Sequence, residues 1–477
     1  MSIKNFLFAL LALFITSFSH SQNLSYDKKA RDEGAKMVEA QMGLVSNPIT
    51  EEYVSNIGNR LVDQLENRTF DYRFFIVDLT EPNAFSLPGG YIYISRGLLI
   101  LINDEAELAG IIGHEIIHAH NRHSFKQMKR SIFPGLLKLP GNIIGIANEE
   151  FGALINAPIG AATGLTMAKY SRKHEYEADA DGLVLAAKAG YNPLALADAL
   201  SNLNKDVEYL TGQATKFSYF DDHPFTDDRI HKINELSEGL QWQEKESFAQ
   251  NTEGVYNNLD GIYMSQNPIQ GVFHGEKFYH ADLGIGISFP EGWNGTNNPQ
   301  YMGASEPEGK GSIIWGVLPE SYDPDVIADA YITKLKKKHK IEAFKSESTV
   351  INGFKAHIFA IDEVTGSKVT NMLVCWIASG GYTYQMMGSG DKKFEKDFEA
   401  TARSFHLLSD QERQMIVGVA LRVRKANEGE TIEEFSKRTQ NAMNKEFTAI
   451  INNIPVNKTL SSGQALKIGK VELYNPQ

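Results

Sequence analysis

Residues 104–123 read DEAELAGIIGHEIIHAHNRH, and the rest of the chain is expected to fold around this stretch. Apolar residues surround the pattern H-E-x-x-H, which is formed by His114, Glu115 and His118. In a helix, residues four apart lie on the same face, so the two imidazoles can hold one Zn²⁺. Glu115 lies about 100° round the helix from His114, where it can act as a general base without being a ligand. The stretch therefore predicts a buried metal-binding helix, and the alternative is a pair of merely hydrogen-bonded histidines.

A zinc site needs a third protein ligand. The metzincin extension H-E-x-x-H-x-x-G-x-x-H fails because Asn121 and Ser124 stand at its glycine and third-histidine positions. A carboxylate on another helix is then expected, and residues 171–181 offer Glu175 and Asp179 at i, i+4 spacing. One of them can bind the metal while the other accepts the spare N–H of a ligand histidine. Spacing alone leaves this assignment open, and also leaves open an acidic helix face that is only solvated.

Three motifs occur in a fixed order: N-A-F-S-L-P-G-G at residues 83–90, then H-E-x-x-H, then S-R-x-x-E-x-x-A-D at residues 171–179. Together they resemble the gluzincin metallopeptidase family of CAAX prenyl proteases, HtpX and BepA-like periplasmic proteases. The resemblance covers about residues 27–240. It implies one Zn²⁺ per chain with Glu175 as the third ligand, and it places Asp179 behind the ligands rather than on the metal.

The segment Asn83, Ala84, Phe85 and Ser86 precedes a strongly β-forming run, Tyr91–Ser95. The resemblance implies that this segment lies along the cleft and binds extended substrate. Backbone hydrogen bonds would hold the peptide, and pockets would read alternate side chains. The alternative is an ordinary hairpin.

A fourth motif of the resembled family, H-P-x-x-x-x-R, contains His223, Pro224 and Arg229. Pro224 disfavours helix at the preceding residue and suits a first helical position. His223 is thus expected just outside a helix N-terminus, as a neutral imidazole. The resemblance implies that His223 and Arg229 lie at the active site and that His223 can occupy the open zinc position. By its chemistry, Arg229 could stabilise an oxyanion or hold substrate; the alternative is a capping histidine and a surface arginine.

Residues 1–21 predict a secretory signal peptide, and so a periplasmic location. Lys4 precedes an apolar run that is too short to span a bilayer, and Ser19 and Ser21 suit cleavage. An uncleaved anchor is the alternative. Residues 132–168 are weakly apolar, which favours a buried or lid-like segment over a membrane segment.

The composition, with 42% hydrophobic and 22% charged residues over 477 positions, indicates a globular protein of two to four domains. The net charge is −12, and no basic stretch suggests nucleic-acid binding. Cys375 is the only cysteine and lies in a strand-like run. It cannot form an internal disulfide, so it is expected to be a core thiol.

We expect a multidomain α+β fold. Residues 22–250 would form a mainly helical peptidase domain with a small β-sheet, residues 265–408 an α/β domain resembling PsbP, and residues 415–477 a βααβ module resembling LysM. Glu430 departs from the G-D-T pattern usual in LysM modules, which puts glycan binding in doubt.

The expected function is that of a zinc-dependent endopeptidase that cleaves envelope or misfolded proteins in the periplasm, with His223 gating the metal. Its partners would be protein or peptide substrates, with association at the outer membrane or cell wall. One alternative is a chaperone or assembly factor for envelope proteins with latent hydrolysis. The other is a peptidoglycan-binding protein led by residues 415–477.

Overall fold

The computed structural model describes residues 24–124, 170–210, 219–224, 227–243, 252–318, 320–339, 344–365 and 368–475. The predicted signal peptide, residues 1–21, and the weakly apolar segment 132–168 lie outside the described residues. Among the residues described, no helix has the length and apolar character needed to cross a membrane.

The first part of the chain combines helices with one small sheet. Its helices are α1 (residues 24–42), α2 (Pro48–Val62), α3 (Arg96–Leu101), α4 (Glu105–His120), α5 (Arg172–Ala189), α6 (Ala195–Leu210), α7 (Tyr219–Asp222), α8 (Asp227–Glu238) and α9 (Thr252–Leu259). Its strands are β1 (Arg73–Val77), β2 (Ala84–Leu87) and β3 (Tyr91–Ser95), in the order β1-β3-β2. Strand β3 is parallel to β1 and antiparallel to β2.

Helix α4 is the centre of this part of the fold. It is buried over 15 of its 16 residues and packs against α2, α5, α6 and β2. The Asp104 carboxylate caps its N-terminus by accepting a hydrogen bond from Ala106 N at 2.7 Å. Apolar residues occupy most of the helix and account for its burial, whereas its buried glutamates and histidines need polar partners. The prediction of a buried helix here is confirmed, although α4 is four residues shorter than the stretch 104–123.

The second part of the chain contains two antiparallel sheets. Its strands are β4 (Val272–His274), β5 (Lys277–His280), β6 (Ile285–Ser288), β7 (Asn294–Asn297), β8 (Met302–Ser305), β9 (Gly311–Val317), β10 (Lys345–Ile351), β11 (Phe354–Thr365), β12 (Lys368–Ser379), β13 (Tyr382–Asp391) and β14 (His406–Leu407). The larger sheet has the order β10-β11-β12-β13-β9-β8-β7 and the smaller one β14-β6-β5-β4. Helices α10 (Pro324–His339) and α11 (Glu395–Arg403) pack against the larger sheet.

The prediction of an α/β domain for residues 265–408 leaves the directions of its strands open, and the structure gives them. Neighbouring strands in both sheets are antiparallel. Parallel strands need long crossover connections, whereas antiparallel strands can be joined by two-residue turns. Such turns occur at Asn352-Gly353 and Gly380-Gly381, and all four of these residues have positive φ.

The last part of the chain contains α12 (Asp410–Arg413), β15 (Val417–Lys425), α13 (Ile432–Thr439), α14 (Lys445–Ile451) and β16 (Ala465–Leu473). Strands β15 and β16 are antiparallel, which gives the strand–helix–helix–strand order expected for residues 415–477. We call residues 415–477 the C-terminal module. Its likeness to LysM and the limits of the three domains stay predictions.

The buried thiol of Cys375 gives a direct test of the packing in the larger sheet. Its side chain on β12 is completely buried, and burial raises the pKa of the thiol to about 12. Because the thiolate is the reactive form, we expect the folded protein to resist a thiol-reactive disulfide reagent at mildly alkaline pH. The unfolded chain should react fully and release one equivalent of the reagent's thiol per chain, because the sequence contains one cysteine. Reaction of the folded protein at the rate of free cysteine would contradict this packing.

Candidate metal centre

Helices α4 and α5 cross at two glycines, and this crossing brings the predicted ligands together. A methyl group on Gly182 would lie 3.1 Å from the backbone N of His114. One on Gly113 would lie 3.3 Å from the carbonyl oxygen of Gly182. A Cβ atom at either position would therefore press on the backbone of the other helix, and glycine avoids that contact. Ser171 caps the start of α5, which sets Glu175 in its first turn.

Four donor atoms converge between these helices and the segment that follows α7. Nε2 of His114 lies 2.9 Å from Nε2 of His118 and 3.2 Å from Nδ1 of His223. Oε1 of Glu175 lies 3.3 Å from Nε2 of His118 and 3.2 Å from Nδ1 of His223. With zinc–ligand bonds of about 2.0–2.1 Å, the ligand atoms of a tetrahedral site are about 3.3 Å apart. The four donors thus have the chemistry and spacing that one zinc ion requires.

Charged and polar groups behind the ligands fix their orientation. Nδ1 of His114 lies 2.9 Å from Oδ1 of Asp179. The carboxylate therefore favours the tautomer with its proton on Nδ1, which leaves the Nε2 lone pair for a metal. Nδ1 of His118 lies 3.3 Å from Nδ1 of His123. Asp179 therefore lies against the Nδ1 side of His114, and its role behind a metal ligand stays a prediction.

Arg229 differs from the expectation that it faces substrate. Its guanidinium is buried and donates to both carboxylate oxygens of Asp179, at 2.8 and 2.9 Å. It also lies 2.8 Å from Oε2 of Glu175, and it donates to the carbonyl oxygen of Pro224 at 3.2 Å. These contacts make Arg229 a positioning residue that ties α5 to the segment carrying His223.

Glu115 lies beside the four donors without being one of them. It is completely buried, and its Oε1 is 3.5 Å from Nε2 of His223. Among the described residues, neither of its carboxylate oxygens accepts a hydrogen bond. Burial raises the pKa of the Glu115 carboxyl, and the charges of His223 and His114 partly oppose that rise. A carboxyl with a raised pKa accepts a proton more readily than an ordinary carboxyl, which suits a general base.

The surrounding charges favour the metal-binding forms of two ligands. Burial lowers the pKa of His118 well below its usual value, and His114 adds to this effect, so the imidazole stays neutral. Burial alone would raise the pKa of Glu175. The charge of His223 and hydrogen bonds from His118 and His223 outweigh it and hold that pKa well below its usual range. A neutral imidazole and an ionised carboxylate are the forms that bind zinc.

Two tyrosines that the sequence analysis did not single out cover the site. The Tyr170 ring stacks on His118 with 3.8 Å between centroids, and the Tyr219 ring stacks on His223 at 4.4 Å and 9°. Both side chains are buried. Tyr219 lies four residues before His223, and that one-turn spacing was the available sequence signal.

The segment proposed to bind substrate, Asn83 to Ser86, is buried in this structure. Strand β2 lies at the edge of its sheet, next to β3, and packs against α4. The Ser86 hydroxyl lies 2.9 Å from that of Ser124, which lies 3.0 Å from the Tyr170 hydroxyl. The side chains of Ser86 and Ser124 therefore connect β2 to the Tyr170 ring that stacks on His118. The burial of all four segment residues indicates that the site is closed in this structure.

Part of the chain is similar in sequence to known proteins. The chain is 31% identical over 205 residues to a Vibrio cholerae protein provisionally named a beta-barrel assembly-enhancing protease, covering 42% of this chain and 41% of that protein. It is 28% identical over 219 residues to the mitochondrial metalloendopeptidase OMA1 of Schizosaccharomyces pombe, covering 45% of this chain and 61% of that protein. The chain therefore spans about two fifths of the length of the first relative and three fifths of the second.

A solution structure of cyanobacterial PsbP from Synechocystis is also similar to part of the chain. The match has 12% identity and a TM-score of 0.23, and it covers 29% of this chain and 95% of that protein. The profile of "Peptidase family M48" matches residues 48–237, the range that contains all four donors and Glu115. Residues 48–237 of this chain therefore belong to peptidase family M48.

Proposed function

We propose that the chain is a zinc-dependent endopeptidase. The observation that carries this proposal is the convergence of His114, His118, Glu175 and His223, beside a buried carboxylate that is not a ligand. A bound zinc ion polarises a peptide carbonyl and makes water a stronger acid. Glu115 then accepts the proton of the attacking water and delivers it to the leaving amine. Asp179 and Arg229 hold the ligands in position throughout.

In this proposal, His223 closes the resting site. Its Nδ1 lies 3.2 Å from both His114 Nε2 and Glu175 Oε1, which is the place of a fourth ligand. A catalytic zinc site needs that position for water or substrate. His223 must therefore move away, together with the stacked ring of Tyr219, before a peptide can enter.

The substrates we propose are envelope proteins or misfolded proteins in the periplasm. The signal peptide expected at residues 1–21 supports the location, and the name of the Vibrio relative refers to beta-barrel assembly. The edge position of β2 supports binding of extended segments, since an edge strand can pair with a peptide backbone. Asn83, Ala84, Phe85 and Ser86 would become the binding strand once the site opens.

The closed site also favours a second candidate, a chaperone or assembly factor in which hydrolysis is latent. Peptidoglycan binding by the C-terminal module is a less supported alternative. The Glu430 carboxylate accepts a hydrogen bond from Asn427 N at 2.7 Å and pairs with Arg438, so it is engaged within the module. A pull-down with purified peptidoglycan separates that alternative from the other two.

The first prediction for this site concerns the proton carrier. Glu115→Gln should keep stoichiometric zinc, because residue 115 is not a ligand. It should lower casein hydrolysis by about 10²–10⁴-fold, the usual contribution of a general base. Metal content and casein digestion should be measured for Glu115→Gln alone and for Glu115→Gln combined with His223→Ala. The combined variant is compared with His223→Ala, so that a closed resting site does not hide the effect. Loss of zinc, or full activity, would remove Glu115 from the proposed role.

The second prediction separates two neighbouring carboxylates on α5. Glu175→Ala should weaken zinc binding by more than about 100-fold, because even changing a hydrogen-bonded partner of a ligand costs about 10–100-fold. The matched control is Glu177→Ala. The Glu177 carboxylate is partly exposed and accepts a hydrogen bond from Asn121 at 3.0 Å. Competition with a chromophoric chelator measures both affinities, and a larger loss in the Glu177 variant would refute the ligand assignment.

The third prediction concerns the proposed gate. His223→Ala should keep zinc on the remaining three ligands and raise casein hydrolysis, because the fourth position opens. The control is His231→Ala on α8, whose imidazole is 72% exposed. Wild-type rates of hydrolysis and of zinc exchange in the His223 variant would show that this residue does not close the site.

A further inference from the structure

The short helix α3 connects the small sheet to the metal-binding helix α4, and residues outside the family-matched range hold both of its ends. At its first residue, the buried Arg96 donates through Nε to Asp78 at 2.5 Å and through Nη1 to the carbonyl oxygen of Tyr263. Tyr263 in turn forms a β-bridge with Ala420 on β15. The N-terminal end of α3 is therefore attached to the sheet of the C-terminal module.

Lys467 on β16 holds the other end of α3. Its Nζ donates to the carbonyl oxygens of Ile100 and Ile102, both at 2.7 Å. The side chain is completely buried, and Nζ lies 4.6 Å from the centroid of the Tyr256 ring. The last carbonyls of a helix lack partners within the helix, and a cation at that end is favoured. Burial lowers the pKa of Lys467 to about 7, opposed by the charge of Glu107.

Tyr256, whose ring lies beside this lysine, begins a buried hydrogen-bond network that reaches the first turn of α4. The Tyr256 hydroxyl donates to the Asn103 side chain at 2.5 Å. Asn103 N donates to Oε2 of Glu107 at 2.7 Å, and the Asn202 amide donates to Oε1 of Glu107 at 3.2 Å. Asn103 directly precedes the helix cap Asp104, so the network fixes where α4 begins.

The apolar core is shared in the same way. Leu421 on β15 and Ile451 on α14 are completely buried in the cluster that also contains Ile111 and Ile116 of α4. Backbone hydrogen bonds join Gly261 N to Leu421 O and Leu421 N to Ile262 O, at 2.9 and 2.8 Å. Removing the module would expose the core against which α4 packs.

We propose that the C-terminal module is a built-in part of the metallopeptidase, and that Lys467 is a positioning residue that fixes the start of the metal-binding helix. The role of Lys467 is indirect, through Ile100, Ile102 and the turn at Asn103. The part of the proposal that concerns zinc rests on the proposed function, whereas the part that concerns α4 does not.

The test compares two lysines on the same strand of the full-length chain. Lys467→Met keeps an unbranched side chain, one atom shorter than lysine, and removes the donors to Ile100 and Ile102. The control is Lys470→Met, which lies three residues further along β16, opposite Ala420, and is only partly buried. Hydrogen exchange should be measured by mass spectrometry over residues 103–112, together with the rate of zinc loss to a chelator.

Lys467→Met should speed exchange over residues 103–112 by at least tenfold and should speed zinc loss. Exchange in β11 and β12 of the larger sheet should stay within twofold, which separates a local effect from general unfolding. Lys470→Met should change none of these rates by more than twofold. Unchanged exchange over residues 103–112 in the Lys467 variant would overturn the proposal.

Should Lys467→Met fail to fold, Tyr256→Phe provides the decisive measurement. It keeps the ring under Lys467 and removes only the hydroxyl that binds Asn103. Exchange over residues 103–112 should then rise at least threefold, and no rise would overturn the proposal. The hydrogen-exchange measurement does not depend on peptide hydrolysis, so its result tests this proposal independently of the proposed function. If Glu175→Ala keeps its zinc, the ligand assignment fails while the exchange result remains valid.

Discussion

The close crossing of α4 and α5 is the constraint on which the candidate metal centre depends. Because Gly113 and Gly182 leave almost no space between the backbones, Glu175 on one helix comes within 3.3 Å of His118 on the other. A Cβ atom at either glycine would lie 3.1 or 3.3 Å from a backbone atom of the other helix, so the helices would have to shift apart by a few tenths of an ångström. The crossing also sets Asp179 one turn further along α5, within reach of His114. Backbone approach, rather than side-chain packing, therefore determines the geometry of the donors.

The charges enclosed by this crossing give a separate reason to expect a cation. Glu115, Glu175 and Asp179 are buried, and within the part of the chain that the structure describes, Arg229 is the one buried guanidinium beside them. In the protonation state that binds zinc, with the histidines neutral and the three carboxylates ionised, these groups and Arg229 carry a net charge of 1 − 3 = −2. A buried charge of that size is costly without a partner, and a divalent cation at the four donors would neutralise it.

Much of this site was accessible from sequence because its chemistry uses regular helix spacing. His114 and His118, and likewise Glu175 and Asp179, are four residues apart, and the buried helix around the first pair was predictable from its apolar residues. The contacts of Arg229 could not be predicted, because residue spacing gives no sign of which carboxylates a distant guanidinium will contact. Tyr170 and Tyr219 escaped notice because their role depends on ring stacking across separate elements.

The limits of sequence reasoning are clearest where segments far apart in the chain meet. The resemblance to LysM predicted a separate module at residues 415–477, yet Lys467 donates to the carbonyl oxygen of Ile102, 365 residues away and just before α4. No local pattern marks a lysine as buried, because lysines are almost always exposed. In residues 265–408, the alternation of helices and strands did not specify which strands pair, and the short turns between the long strands make the sheets antiparallel.

The most direct test of the central claim is a crystal structure of the zinc-loaded protein with anomalous diffraction data collected at the zinc absorption edge. The account predicts one strong anomalous peak per chain, bonded to Nε2 of His114 and His118, a carboxylate oxygen of Glu175 and Nδ1 of His223. The carboxylate of Glu115 should lie beside this peak without bonding to it. A zinc ion bound elsewhere, or one that takes Glu115 or Glu177 in place of Glu175, would contradict the account.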